Sequence, residues 1–290
     1  MKNFLKGTSA LALATGLFLS FAGTASAASF INGDFETGDF TGWTKGGGTW
    51  GNSGQPNPFP CGTGTGGGCL TGNQGGSAGN ITPDTFSGGS PYNTGGVAPS
   101  AFQITNVGFD SVVGGTLLPT VYAGQHSAKI NDSVNNYSAS TIVQSVANYT
   151  DSHVYFAWAA VLEGSHTATD SDEFAMLLRD TTTGAVLYSV TYSSAEAGAS
   201  ALFHTSGVVH YTDWQVQSLD LSTTSFASGD GLQMELLGLD CPYGGHYGYV
   251  YLDGFGAVTP PSTVPEPATL GILGLGVTAL AGLARRRRAA

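Results

Sequence analysis

The sequence predicts an all-β chain folded as a two-sheet antiparallel β-sandwich, and three observations predict it. From Phe102 onward, short runs rich in Val, Tyr, Phe and Thr alternate with Gly, Asp and Asn, as strands bounded by turns do. Outside the two chain ends, no stretch sustains the 3.6-residue apolar repeat of an amphipathic helix for three turns. Many short strands that each carry one apolar face bury those faces most simply by packing two sheets together.

The expected strands follow in order as Ser127 to Ile130, Thr141 to Val146, Val154 to Leu162, Glu173 to Arg179, Val186 to Tyr192, Trp214 to Leu221, Leu232 to Leu239 and Tyr247 to Val258. Thr183 and Gly184 mark a hairpin turn between the fourth and fifth. Alternation assigns faces: Phe174, Met176 and Leu178 share one side, with Glu173 and Arg179 opposite. Val186, Tyr188, Val190 and Tyr192 line one face of the next strand. In the last strand Tyr247, Tyr249, Tyr251, Asp253 and Phe255 fall together, with Val250 and Leu252 opposite. Residues 46–99, rich in Gly, Asn, Ser, Thr and Pro, hold too few large apolar side chains to offset their backbone entropy. They read as a long low-complexity loop inserted after a first strand.

Both ends read as transport labels. Lys2 and Lys6 precede an apolar stretch from Leu11 through Phe21, and Ala25-Ser26-Ala27 offers the small residues a signal peptidase cuts after. Residues 1–27 are therefore expected to leave as a signal peptide. At the other end Pro265-Glu266-Pro267 is followed by an apolar run from Ala268 to Ala284, then Arg285, Arg286, Arg287 and Arg288. That run sits at the short edge of the ~17–25 residues that span a bilayer, and the arginines would stay cytoplasmic. This order resembles the PEP-CTERM sorting signal. The resemblance implies a transmembrane helix in the tail, transient anchoring in the inner membrane, processing by an exosortase-type enzyme, and release to the cell surface or extracellular matrix. A permanently anchored protein is the competing reading. The expected organisation is a signal peptide at 1–27, a sandwich at 28–258, a linker at 259–264 and a sorting tail at 265–290.

Removing both ends leaves Lys45, Lys129 and Arg179 against nineteen carboxylates, a formal charge of −16. Such acidity argues against nucleic acid and anionic lipid as partners, and suits divalent cations and neutral glycans. It is equally a solubility device. Cys61 and Cys69 are candidates for a local disulfide stapling the low-complexity loop. Cys241 either stays buried or pairs with one of them, and spacing does not decide.

The mature N-terminus reads Phe30-Ile31-Asn32-Gly33-Asp34-Phe35-Glu36-Thr37-Gly38 with Trp43 beyond, and the last strand ends Tyr251-Leu252-Asp253-Gly254-Phe255. Together they resemble the opening and closing strands of galactose-binding-like jelly rolls, the fold of many carbohydrate-binding modules. The resemblance implies a jelly-roll-like sandwich with a structural Ca²⁺ tying those strands together. Glu36 and Asp253 would supply carboxylates and Asp34 a backbone carbonyl, hard oxygens of the kind Ca²⁺ takes. The strings Val161 to His166 and Leu239 to Tyr249 are similar to those of secreted bacterial β-sandwich domains, which implies one folded unit and no particular ligand.

Candidate site residues fall in two groups. Trp214, Tyr247, Tyr249 and Tyr251, with Tyr188 and Tyr192, offer rings for stacking on an extracellular polysaccharide; cross-strand packing accounts for the same rings. Glu163, His166, Cys241 and His246, with Asp170 and Asp172, form a polar set whose spacing lacks the paired ligands of a zinc site. A hydrogen-bonded structural cluster explains them better. No Gly-x-Ser-x-Gly string lies between a strand and a helix, and no His-Glu-x-x-His or P-loop string occurs. The expectation is thus a non-catalytic binding or matrix-organising protein. A secreted hydrolase and a purely structural matrix protein are the alternatives.

Overall fold

The computed structural model describes residues 29–49, 101–135, 138–164, 171–241 and 246–257. The signal peptide, Cys61, Cys69, His166, Asp170 and the sorting tail lie outside the described residues. Among those described, no helix is long and apolar enough to cross a membrane.

The chain is almost entirely β. Its strands are β1 (Thr44–Thr49), β2 (Phe102–Asn106), β3 (His126–Ile130), β4 (Ser138–Val146), β5 (His153–Glu163) and β6 (Glu173–Asp180). They continue as β7 (Val186–Ser193), β8 (Phe203–Ser206), β9 (Val209–Thr212), β10 (Gln215–Asp220), β11 (Leu232–Leu239) and β12 (Gly248–Ala257). A four-residue helix, α1 (Ser194–Ala197), follows β7. One sheet runs β1-β4-β11-β6-β7; the other runs β2-β3-β12-β5-β9-β8, with β10 also paired to β5. Every pairing is antiparallel. The architecture is a two-sheet antiparallel sandwich, as expected.

The core between the sheets follows the period-two alternation of the strands. Phe156 and Trp158 from β5, Phe174 and Met176 from β6, Met234 and Leu236 from β11, and Val250 and Leu252 from β12 meet there. Each fully buried side chain of this size stabilises the fold by ~1.5–3 kcal/mol. The β6–β7 turn uses Asp180: its Oδ1 accepts from the Thr182 and Thr183 amides at 2.8 and 3.1 Å, and Gly184 takes a φ of 78°.

Two face assignments are corrected. Phe255 packs in the sandwich core rather than beside the tyrosines, because β12 shifts register between Asp253 and Ala257. Gly254 and Gly256 adopt φ values of 63° and 79° there, a conformation glycine reaches without strain. Val186 is exposed while Leu187 packs against the core, because β7 shifts register beside Arg179. The glycine-rich stretch also opens as structure. Gly46 to Thr49 belong to β1, which pairs through its backbone with Ser138 to Thr141 of β4.

The segment before β1 closes one end of the sandwich. Gly33 O accepts from Phe255 N at 2.9 Å, and Gln144 Nε2 donates to Ile31 O at 2.9 Å. Phe30 meets the Phe255 ring edge-on at 4.6 Å, and Trp43 stacks on Phe35 at 5.4 Å. A Cβ at Gly33 would overlap the Phe255 carbonyl, so the first segment reaches the last strand only through a glycine. Gly33→Ala is expected to cost ~1–3 kcal/mol in urea unfolding. Gly108→Ala, whose nearest neighbour would be 3.7 Å away, is expected to be near neutral. Equal midpoints for the two variants would refute this closure.

Candidate functional site

Strand β12 has two apolar faces. While Val250 and Leu252 enter the sandwich core, Tyr249 and Tyr251 project to the outer face of their sheet, beside Ala159 and Val161 of β5. Side chains two residues apart on one strand share a face, so the tyrosines line up. Ring centroids step from Tyr247 to Tyr249 (6.3 Å), Tyr251 (5.9 Å), Trp214 (6.0 Å) and Tyr122 (5.8 Å). Of the six aromatic residues picked out of the sequence, Trp214, Tyr247, Tyr249 and Tyr251 therefore belong to one five-ring row, while Tyr188 and Tyr192 of β7 pack against the sandwich core.

That row is roofed. Residues 107–121 fold back over it as a strap, closed by Asp110 N to Leu118 O at 2.8 Å and Thr120 N to Gly108 O at 3.1 Å. Val113 and Leu118 of the strap pack on the tyrosines. Tyr249 and Tyr251 are 0% and 2% exposed, whereas Trp214 and Tyr247 are half-buried. An open stacking platform is thus found only at the two ends of the row, because the middle is covered by the chain itself. Trp214 Nε1 donates to Pro119 O at 2.8 Å, and Ser206 Oγ donates to Val113 O at 2.8 Å, tying both sides of the strap down.

The strap brings a carboxylate with it. Asp110 Oδ2 accepts from the phenols of Tyr249 and Tyr251 at 2.8 and 2.7 Å, while its Oδ1 accepts from the Val112 and Val113 amides. Lys129 of β3 sets its ammonium 3.5 Å from the Tyr249 ring centroid. Burial pulls the Lys129 amine below its usual range, opposed by the charges of Asp110 and Asp132. Burial, reinforced by Asp110, pushes the phenols of Tyr249 and Tyr251 far up; the Tyr247 phenol rises to about 12, from burial and then from Glu163. Neither Asp110 nor Lys129 was picked out of the sequence. The one available signal was that Lys129 is among just three basic residues between residues 28 and 264.

The expected calcium residues gather at the strap's far end. Glu36 Oε1 accepts from the Gln125 and His126 amides at 2.7 and 3.0 Å, and Asp253 Oδ2 from those of Tyr122 and Ala123, both at 2.9 Å. The two carboxylates thus clasp one short loop. Asp253 is 1% exposed and its Oδ1 has no hydrogen-bond partner. Asp34 is exposed, and its Oδ1 accepts from Glu36 N at 3.3 Å. Among the described residues no three His, Cys, Asp or Glu side chains converge as metal ligands. The hard oxygens this clasp offers are those of the Glu36 and Asp253 carboxylates.

The polar set lies at the opposite end. Tyr247 N donates to Glu163 Oε2 at 3.3 Å, and Cys241 N donates to His246 O at 2.8 Å. Cys241 is buried. Nearby, Asp240 accepts from Asn131 Nδ2 and Ser138 N, both at 2.9 Å. Burial raises the Asp172 carboxyl well above the carboxylate range, with the Asp240 charge adding to it.

Residues 263–288 match the family described as the PEP-CTERM protein-sorting motif. The tail is a PEP-CTERM sorting signal. It indicates export and membrane-anchored sorting toward the cell surface. No curated protein matches the chain. Similar solved structures include TmCBM61 in complex with β-1,4-galactotriose, at 9% identity and a TM-score of 0.37, covering 79% of this chain and 96% of that one. A carbohydrate-binding module specific for non-crystalline cellulose, CBM28, is 10% identical over 55% of this chain and 84% of its own, with a TM-score of 0.30. The enzymatically active domain of tailspike protein 4 from bacteriophage CBA120 is 8% identical over 79% of this chain and 21% of its own, with a TM-score of 0.31. At such similarity no residue's role transfers.

Burial raises the Asp253 carboxyl to about 7, against the pull of the Ala123 and Tyr122 amides and with the Glu36 charge adding to the rise. The folded state therefore holds a proton that the unfolded chain releases near pH 4. Its stabilising contribution is full below that pH and is lost as pH rises through 7. With divalent cations chelated, the urea midpoint of Asp253→Asn is expected to fall less than wild type between pH 4.5 and 7.5. Parallel pH dependences would show that Asp253 titrates normally.

Proposed function

We propose that the mature chain is an exported, non-catalytic polysaccharide-binding or matrix-organising protein of the cell surface. It binds through the outer face of its seven-stranded sheet and is stabilised by Ca²⁺. The observation that carries this reading is the five-ring row, evenly spaced and partly exposed at Trp214 and Tyr247. Aromatic faces pack against the C–H faces of pyranose rings while phenol and indole tips reach hydroxyls. Half-buried rings towards both ends of one row suit a ligand that is itself a linear chain. The sorting signal supports the location, since a surface protein meets polymers rather than metabolites. In this reading a signal peptidase removes the leader, and an exosortase-type enzyme processes the tail at the inner membrane.

Trp214→Ala and Tyr247→Ala are each expected to weaken binding of a soluble polysaccharide about tenfold, since a well-seated aromatic contributes more than ~1 kcal/mol. Affinity electrophoresis across a polysaccharide panel measures this, with the exposed Val186→Ala on β7 of the opposite sheet as the unaffected control. A panel in which nothing is retarded, or in which both variants migrate as wild type, would reject the site. Turnover of a polysaccharide that stops on changing one carboxylate would favour the hydrolase reading instead.

Calcium is assigned to the clasp of Glu36 and Asp253, where it would neutralise a buried carboxylate and fix the loop at 121–126. A saturating ion at ~100 times its Kd adds ~2.7 kcal/mol, seen as a higher thermal midpoint. Because the ion displaces the Asp253 proton, the gain is expected to grow as pH rises toward 7. Glu36→Gln and Asp253→Asn should each abolish the response. A full response in both variants would place the ion elsewhere.

A further inference from the structure

Beneath the strap, the outer face of the seven-stranded sheet presents hydrogen-bond donors converging on one acceptor. The phenols of Tyr249 and Tyr251 both donate to Asp110 Oδ2, at 2.8 and 2.7 Å. Beside them, Lys129 is 8% exposed, with its ammonium 3.5 Å from one tyrosine centroid and 5.9 Å from the other. No carboxylate among the described residues forms an ion pair with it. Two O–H donors next to a buried cation make a receptor for one carboxylate. The sheet supplies the receptor and the strap supplies the carboxylate.

The strap is held chiefly by hydrogen bonds rather than by apolar packing. Two of its apolar side chains, Val113 and Leu118, are buried in the tyrosine cluster, while Val107, Phe109 and Leu117 are 56%, 50% and 50% exposed. Segments with few buried apolar contacts open at the low end of the local stability range.

We propose that Tyr249, Tyr251 and Lys129 form a carboxylate subsite, filled at rest by Asp110 of the strap, that takes a uronic-acid carboxylate of an acidic polysaccharide when the strap is displaced. This rests on the reading of the face as polysaccharide-binding and adds the ligand class and its gate. Exchange of one carboxylate for another preserves both hydrogen bonds and the charge facing Lys129. A neutral sugar would take the Asp110 charge away from that buried ammonium and leave Asp132 alone to offset its desolvation, which is the costly outcome. The formal charge of −16 opposes an acidic polymer at a distance. Such repulsion is screened beyond about 8 Å at physiological salt, whereas buried contacts are screened much less. Affinity is therefore expected to rise from low to physiological salt.

The test is chemical rescue. Asp110→Ala in the full chain is expected to lower the thermal midpoint by several degrees. Sodium acetate or sodium galacturonate should restore at least half of that loss, while methyl galactoside and sodium chloride restore none. As a second variant, Tyr251→Phe keeps the ring and loses one donor. It is expected to weaken oligogalacturonate binding about tenfold, the effect of a lost hydrogen bond to a charged group. Rescue by the neutral sugar as well, or by none of the additives, would overturn the subsite, as would unchanged oligogalacturonate binding in Tyr251→Phe. Neutral polysaccharide binding without carboxylate rescue would sink the subsite and leave the polysaccharide reading. Carboxylate rescue without binding of any polysaccharide would do the reverse.

Discussion

Strands β5 and β12 are apolar on both faces, and the rest of the molecule answers to that constraint. One pair of faces is satisfied by the opposing sheet, through Trp158 against Phe174 and the aliphatics of β11. The other, carrying Ala159, Val161, Tyr249 and Tyr251, has no second sheet to meet. Left in water, it would forfeit the free energy of burying several large side chains. The strap at 107–121 is the chain's solution, and a thin one: a short hairpin-like segment does what a third layer would do elsewhere.

Polar groups under that roof are settled by the same economy of parts. With three basic residues between residues 28 and 264, most buried carboxylates there cannot be paired with a cation. Backbone amides take that role instead. Asp110 binds the amides of Val112 and Val113, Asp253 those of Tyr122 and Ala123, Glu36 those of Gln125 and His126, and Asp240 that of Ser138. Each such bond favours the ionised form, yet Asp253 keeps one oxygen outside any bond and remains raised to about 7. The clasp at that end is the place where amides alone fall short.

Much of the sandwich was legible because alternation is a local signal. The strands from β3 to β7, together with β10, β11 and β12, coincide with apolar runs the eye can find. Legibility failed where backbone geometry overrides alternation: the glycines flanking Phe255 turn it inward, and the irregularity beside Arg179 turns Val186 out. Strand β1 reads as loop since its glycine triplet carries no apolar pattern, only backbone groups for β4 to pair with. The row of tyrosines was visible as a stripe, but its roof was not. Asp110 sits in a Gly- and Pro-punctuated stretch, 139 and 141 residues from the phenols it binds. No short-range pattern encodes a contact of that separation.

Cys241 gives the fold a consequence for the journey outward. Its side chain is fully buried just beyond the end of β11. In an oxidising compartment an enclosed thiol is inert, while one on an open chain reacts. Folding therefore withdraws this side chain from solvent oxidants, to which an unfolded chain leaves it open.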